Sequence, residues 1–305
     1  MTQAKPTGWV FIYIILGIIW GSSFLFTHVA LEMLPPVGVV FWRLLLGALA
    51  LGAVIAFRRV EITRNWRHWL LMAGGGAFMN ALPFTLFAYA QQHVTSILAS
   101  IINGATPIMT LLALLTVFRG EKLKLNVILG LLIGMGGVMI VLAVWQGFGE
   151  NDPTAVLAMI AAVSCYGLGG PFIVRFVTPL KMPNEIMSIG QVGSASLIVL
   201  PFYLAGPALI GEVTLSAMAS VITLGAVGSG VAYILYYRII KQVGSAIANS
   251  VTYMSPLVAT VLGMLLLGEE LHWYEPVGAV VVILGALISQ GRLLGLFGLK
   301  PKVLS

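Results

Sequence analysis

The chain has 305 residues, 59% of them hydrophobic and only 9% charged, with mean hydropathy +1.03 and a formal net charge of +6. Soluble domains carry roughly 25% charged residues, so the composition excludes a water-soluble globular protein and points to an integral membrane protein. A single cysteine, Cys165, excludes an internal disulfide, and no polar segment is long enough to form a basic nucleic-acid-binding domain.

Apolar stretches at 8–30, 37–57, 68–90, 94–118, 125–145, 154–175, 184–204, 214–239, 246–268 and 275–294 predict ten membrane-spanning helices, each near the length of about 20 residues that a bilayer core requires. The first is too long, and too closely followed by a second, to read as a cleaved signal peptide. Fifteen of the 16 basic residues fall on one side of these spans, among them Arg58, Arg59, Arg64, Arg67, Arg119, Lys122, Arg175 and Arg238. Glu32, Glu150, Asp152, Glu212, Glu269, Glu270 and Glu275 fall on the other, so the positive-inside bias predicts that both termini are cytoplasmic.

In span one, Gly17 and Gly21 form a small-xxx-small pair, and Trp20, Ser23 and Thr27 share a face. Trp20 lies near mid-membrane, where an aromatic ring is either the wall of a solute pocket or ordinary packing. His28, nearer the outer end, reads either as a neutral histidine satisfied by a neighbouring helix or as a proton-sensitive group. Span two carries Arg43, the one clearly intramembrane charge, about 9 Å below the outer end at 1.5 Å per residue. An arginine at that depth either binds an anion or carboxylate in a cavity or snorkels outward toward Glu32 and helix-end carbonyls. In span three, Asn80, Phe84, Phe87 and Gln91 recur at steps of 4, 3 and 4, one helical face of mixed polar and aromatic character. Span four places Ser96, Ser100 and Asn103 in a polar stripe that leads to Pro107, a candidate kink or gate. Span five is a glycine-rich packing helix. Span six offers Tyr166, and span seven Gln191, which matches Arg43 when Pro35 is aligned with Pro183.

The second half repeats the first. Ser245, Asn249, Thr252 and Pro256 match Ser96, Ser100, Asn103 and Pro107 at a constant offset of 149, and Ser229, Tyr233 and Tyr236 follow Asn80, Phe84 and Phe87 at the same offset. Tyr253 adjoins the stripe. Five crossings separate each matched pair, so equivalent helices run in opposite directions, the inverted-repeat arrangement associated with alternating access around a midplane site.

The run Gly17–Phe24 (GIIWGSSF), the Pro35 to Arg43 spacing, and the paired runs Ala99, Pro107, Glu121 and Ala248, Pro256, Glu270 resemble the EamA repeats of the drug/metabolite transporter superfamily. The resemblance extends along essentially the whole chain and is strongest to the YddG type of bacterial amino-acid exporter. It implies an all-α integral membrane fold of ten helices: a first five-helix repeat at 1–146, an outer linker at 147–153, an inverted repeat at 154–294 and a cytoplasmic tail at 295–305. It further implies a multi-pass protein of the bacterial inner membrane that exports amino acids or related small-molecule metabolites across the lipid bilayer; no cofactor or metal is expected, and a monomer is compatible with the sequence. Gln191 in place of a second arginine departs from a symmetric anion site.

Residue chemistry narrows the solute. A phosphorylated substrate needs several pocket cations, and only Arg43 is present. The aromatic residues can attract organic cations, so a multidrug exporter of the same fold is the alternative reading. A small zwitterion fits better: Arg43 or amides for a carboxylate, hydroxyls for an amine, and Trp20 with the tyrosines for a side chain. The span interiors hold no Asp or Glu, leaving His28 as the candidate for proton coupling, and there is no P-loop signature for an ATPase. A membrane enzyme needs clustered acid/base or metal-ligating residues, and only Glu269, Glu270 and His272 form even a weak outer-loop cluster.

Overall fold

The computed structural model describes residues 8–118, 125–141, 145, 152–243 and 250–289, and every regular element among them is helical. Helices α1 (Gly8–Leu31) and α2 (Pro36–Arg58) are unbroken rods, and Pro36 opens α2 where a missing backbone N–H leaves no helical carbonyl unpaired. α3 (Trp66–Gly76) passes through a π-helical stretch, Ala77–Ala81, into α4 (Leu82–Ala90). The fourth predicted span is two helices, α5 (Ser96–Asn103) and α6 (Thr106–Thr116), with the break at Gly104 and Ala105. α7 (Leu125–Val141), α8 (Pro153–Phe172) and α9 (Asn184–Leu204) follow. α10 (Leu215–Ile222) continues through a longer π-helical stretch, Thr223–Val231, into α11 (Ala232–Val243). A 3-10 turn, Ser250–Tyr253, leads into α12 (Met254–Leu262), and α13 (Tyr274–Ser289) is the last described element.

Seven helical segments among the described residues are long and apolar enough to cross a membrane. Shorter apolar helices lie at Leu132–Val141, Met254–Leu267 and Tyr274–Gly285, where the fifth, ninth and tenth spans are predicted. Helix starts are capped from side chains: Asn65, Thr95, Asp152 and Thr214 each accept a bond from a backbone N–H two or three residues on. Large apolar side chains also face outward, with Leu197 69% and Leu265 75% exposed, a surface suited to lipid and unsuited to water.

The dominant helix contacts run between residues 8–141 and residues 153–289, and they come in matched pairs. α1 packs on α12 as α8 packs on α6; α2 packs on the Thr223–Val231 stretch as α9 packs on α3 and Ala77–Ala81; α1 packs on α10 and α11 as α8 packs on α4. α2 with α9 and α7 with α13 are contacts between corresponding helices. Neither half therefore closes its core without the other. The small residues of span one serve this packing: a Cβ built on Gly21 would stand 2.5 Å from Cβ of Val258 on α12. At Gly76 the obstacle is backbone, with the Gln191 carbonyl oxygen only 2.4 Å from such a Cβ.

One acidic residue of the weak outer-loop cluster is occupied structurally. Oε1 of Glu269 accepts from the Ser96 N–H at 2.9 Å and from the Ser96 hydroxyl, while Oε2 accepts from the Ile97 N–H at 3.1 Å. The carboxylate thus caps the N-terminus of α5, where unpaired N–H groups and the helix dipole favour negative charge. Glu275 is similarly engaged, with Oε2 accepting from the His272 N–H at 2.8 Å. Glu269 of this cluster is thus engaged in capping α5.

Gly76→Ala should lower the unfolding midpoint of detergent-purified protein by an amount reflecting about 1–3 kcal/mol of overpacking, since a carbonyl cannot rotate away as a side chain can. Gly136→Ala, where nothing lies within 4 Å of the added Cβ, should leave the midpoint unchanged or slightly raised. Equal midpoints for the two variants would show that α3 and α9 do not approach this closely.

Candidate functional site

The matched packing leaves a cavity between the halves, with about 90 Å³ of room for the centres of water-sized molecules, enough for several waters or one small solute. Span one contributes Trp20, Ser23 and Thr27, the stripe that the 3.6-residue period predicts, together with Phe24. Trp20 is fixed at both ends: its Nε1 donates to the Gly228 carbonyl at 3.3 Å, and its ring meets Tyr233 and Tyr236 at centroid distances of 5.8 and 5.4 Å. Ser23 donates to the Ile19 carbonyl of its own helix at 3.0 Å. Span three contributes Met79, Phe84, Phe87, Ala88 and Gln91. Gln91 ties this wall to span one by donating to the Phe24 carbonyl at 2.9 Å, and Phe87 packs edge-on against Phe24 and stacks on Tyr166. Asn103 and Thr106 flank the break between α5 and α6, and Tyr166, Tyr233, Tyr236 and Thr252 complete the lining.

Arg43 enters from α2. Its Nε donates to the Ser229 hydroxyl at 3.0 Å, and its guanidinium carbon lies 3.8 Å from the centroid of Phe84, a cation–π contact. No carboxylate pairs with it among the described residues, and Glu32 is not its partner, so the outward-snorkelling alternative is not the arrangement found. A cation held by a hydroxyl and a ring face, with its terminal nitrogens unbonded to the described residues, is positioned to receive an anionic group of a solute.

Three residues expected in the pocket lie elsewhere in the structure. Asn80 is wholly buried behind the wall, bonded to Tyr233 and Gln191, and Gln191 belongs to the same buried network. The cause is the π-helical stretch Ala77–Ala81. Its wider turn brings residues five apart onto one face, so Met79 takes the place beside Phe84 that an uninterrupted α-helix assigns to Asn80. Ser100 is also wholly buried and donates to the Ile97 carbonyl of its own turn at 2.7 Å. Pro107 lies in the first turn of α6, just after the Gly104 and Ala105 break, and Pro256 stands near the start of α12, so both prolines follow interruptions in their spans. His28 does not line the cavity, and its Nδ1 is buried without a hydrogen-bond partner among the described residues. Asn249 lies outside the described residues, as does the side chain of Tyr253.

The lining also includes residues that the sequence reading did not single out as solute contacts. Thr27, Phe87, Gln91, Tyr236 and Thr252 lie on the polar and aromatic faces already traced, within two turns of a chosen residue. Phe24 lies on the same face, four residues after Trp20, and Thr106 adjoins Pro107 just past the break in span four. Met79 has no periodic signal at all, because only the π register brings it inward.

Apolar helices in two interpacked halves, enclosing a polar and aromatic cavity, are the architecture of a polytopic membrane protein with an internal small-molecule-sized site. The chain belongs to the EamA-like transporter family of the drug/metabolite transporter superfamily, which matches residues 7–143 and again 153–290. It is 28% identical over 290 residues to the uncharacterized inner membrane transporter YedA of Escherichia coli K12, covering 94% of this chain and 92% of that protein. It is 24% identical over 296 residues to the uncharacterized transporter YyaM of Bacillus subtilis, covering 92% and 93%, and 22% identical over 285 residues to protein PecM of Dickeya dadantii, covering 93% and 92%. A crystal structure of a protein 19% identical superposes with a TM-score of 0.68 over 94% of this chain and 99% of that one, which establishes the shared fold. The protein is a multi-pass inner-membrane transporter.

Trp20→Ala should open the wall next to Tyr233 and Tyr236 and widen the range of solute side chains accepted, measured as relative initial rates across a solute panel in proteoliposomes. A selectivity profile identical to wild type would leave Trp20 with a packing role only.

Proposed function

We propose that the protein exports neutral amino acids, aromatic ones included, and related small zwitterionic metabolites by alternating access. The observation that carries this reading is Arg43, a guanidinium in the cavity wall without an acidic partner among the described residues. A carboxylate supplies the missing counter-charge, and Arg recognises it through two parallel N–H donors. Trp20, Phe24, Phe87 and Tyr236 provide the apolar and aromatic surface that a side chain requires. An organic cation would instead meet like charge at Arg43, and the face of Phe84 already carries that guanidinium at 3.8 Å.

In this reading the two family matches, 7–143 and 153–290, are two five-helix repeats of opposite orientation, ten spans in all, with both termini cytoplasmic. The matched contacts between the halves support two exchangeable packings of the same helices, one open to each side, with the interruptions before Pro107 and Pro256 as bending points. A monomer is the expected working unit, since side chains from both halves of one chain meet at the described cavity. His28 is the titratable group of span one, and its role is read by comparing flux with and without a pH gradient in wild type and His28→Ala.

Purified protein in liposomes should move labelled neutral amino acids down an imposed gradient. Arg43→Ala should reduce that flux by about 10-fold or more, and Arg43→Lys should not restore it, because an ammonium lacks the planar donor pair. Absence of flux for all twenty amino acids, with organic cations transported instead, would sink the amino-acid reading in favour of the multidrug alternative.

A further inference from the structure

A directed chain of hydrogen bonds runs behind the cavity wall through three helical segments. The Tyr237 hydroxyl donates to Oε1 of Gln191 at 2.7 Å, Nε2 of Gln191 donates to Oδ1 of Asn80 at 2.7 Å, and Nδ2 of Asn80 donates to the Tyr233 hydroxyl at 2.8 Å. The Tyr233 hydroxyl then donates to the Met79 carbonyl at 3.2 Å. All four side chains are at most 2% exposed, so water has little access to substitute for a missing partner.

The direction of this chain is dictated from one end. Met79 lies in the π-helical turn Ala77–Ala81, and Pro83, four residues on, has no backbone N–H to offer its carbonyl; the Tyr233 hydroxyl, 3.2 Å away, does supply a proton. A carbonyl can only accept, so the Tyr233 proton goes to Met79. With its proton spent, Tyr233 must accept from Asn80, whose amide nitrogen therefore points at it and whose carbonyl oxygen points at Gln191. Gln191 must then present its own nitrogen, leaving its oxygen to Tyr237. Each amide orientation follows from the one before it, and reversing any of them leaves a buried group unpaired.

Tyr233 also lines the cavity, one turn beyond Ser229, the residue that holds Arg43. We infer that Pro83, through Met79, makes Tyr233 an acceptor-only contact for the solute's ammonium group, beside the donor-only Arg43 that takes its carboxylate. This rests on the zwitterion reading above and deepens it: the head group of an α-amino acid is read by one group that can only donate and one that can only accept. Asn80, Gln191 and Tyr237 are then positioning residues, which accounts for their burial behind the wall rather than in it.

The test is equilibrium binding to detergent-purified protein of L-phenylalanine, 3-phenylpropanoate, which lacks the amine, and 2-phenylethylamine, which lacks the carboxylate. Wild type should prefer L-phenylalanine to 3-phenylpropanoate by about 10-fold, the order expected for one charge-assisted hydrogen bond. Tyr233→Phe should bring that ratio close to one, with a monodisperse size-exclusion peak and a wild-type helical circular-dichroism spectrum showing that the variant is folded. Pro83→Ala supplies an N–H for Met79 and frees the Tyr233 proton, and it too should lower the ratio. A wild-type ratio retained in Tyr233→Phe overturns the assignment. Failure of wild type to bind either phenylalanine or phenylpropanoate overturns the amino-acid reading and, with it, the ammonium contact. The direction of the chain is then read without a solute, from the C–O stretch of Tyr233 in isotope-edited infrared spectra, taking Tyr233→Phe as the blank. A shift of this band in Pro83→Ala supports the directed chain, and an unmoved band overturns it.

Discussion

Inside a hydrocarbon layer a polar group has no water to fall back on, and that constraint governs the centre of this molecule. Helices satisfy their own backbones, so every departure from the α-helix exposes a group that the fold must pair. Pro83 removes one N–H, and the Tyr233 hydroxyl from the other half answers the Met79 carbonyl. The free N-terminus of α5 is answered by Glu269. Arg43 is answered by Ser229 and the face of Phe84, and it alone among these has donors left over within the cavity wall. The polar groups that remain after internal pairing are those a solute can use.

The same constraint explains why the halves interpack instead of standing side by side. The hydrophobic effect adds little between helices already surrounded by lipid, so association relies on close backbone approach and on hydrogen bonds across helices. Gly76 beside the Gln191 carbonyl and Gly21 beside Val258 supply the first. The chain from Tyr237 to Met79 supplies the second. These contacts join residues 8–141 to residues 153–289, and the cavity lies along the same boundary. A transporter needs its solute site where two bodies meet, because that is where relative movement can change access.

Much of the architecture was legible in the sequence because membrane burial imposes long uninterrupted apolar runs, and among the described residues seven predicted spans coincide with helical segments long and apolar enough to cross a membrane. The wall of span one was legible for a similar reason: α1 is an unbroken helix, so Trp20, Ser23 and Thr27 keep the period that places them together. Span three was misread in one register. Its Asn80, Phe84, Phe87 and Gln91 face assumes 3.6 residues per turn throughout, and the π-helical Ala77–Ala81 turns Asn80 away and Met79 in. Ser100 failed differently: a polar stripe does not reveal that a serine hydroxyl can return its hydrogen bond to its own helix.

By itself, then, the sequence determined the membrane class, the approximate apolar segments, the repeat and the presence of Arg43 within an apolar segment, since each is written in composition and period. Only the tertiary structure decided which polar residues face the cavity and which are consumed behind it. That choice depends on partners far apart in the chain, such as Asn80 with Gln191 and Arg43 with Ser229, and on local helix register. No periodicity in one segment encodes what another segment brings to meet it.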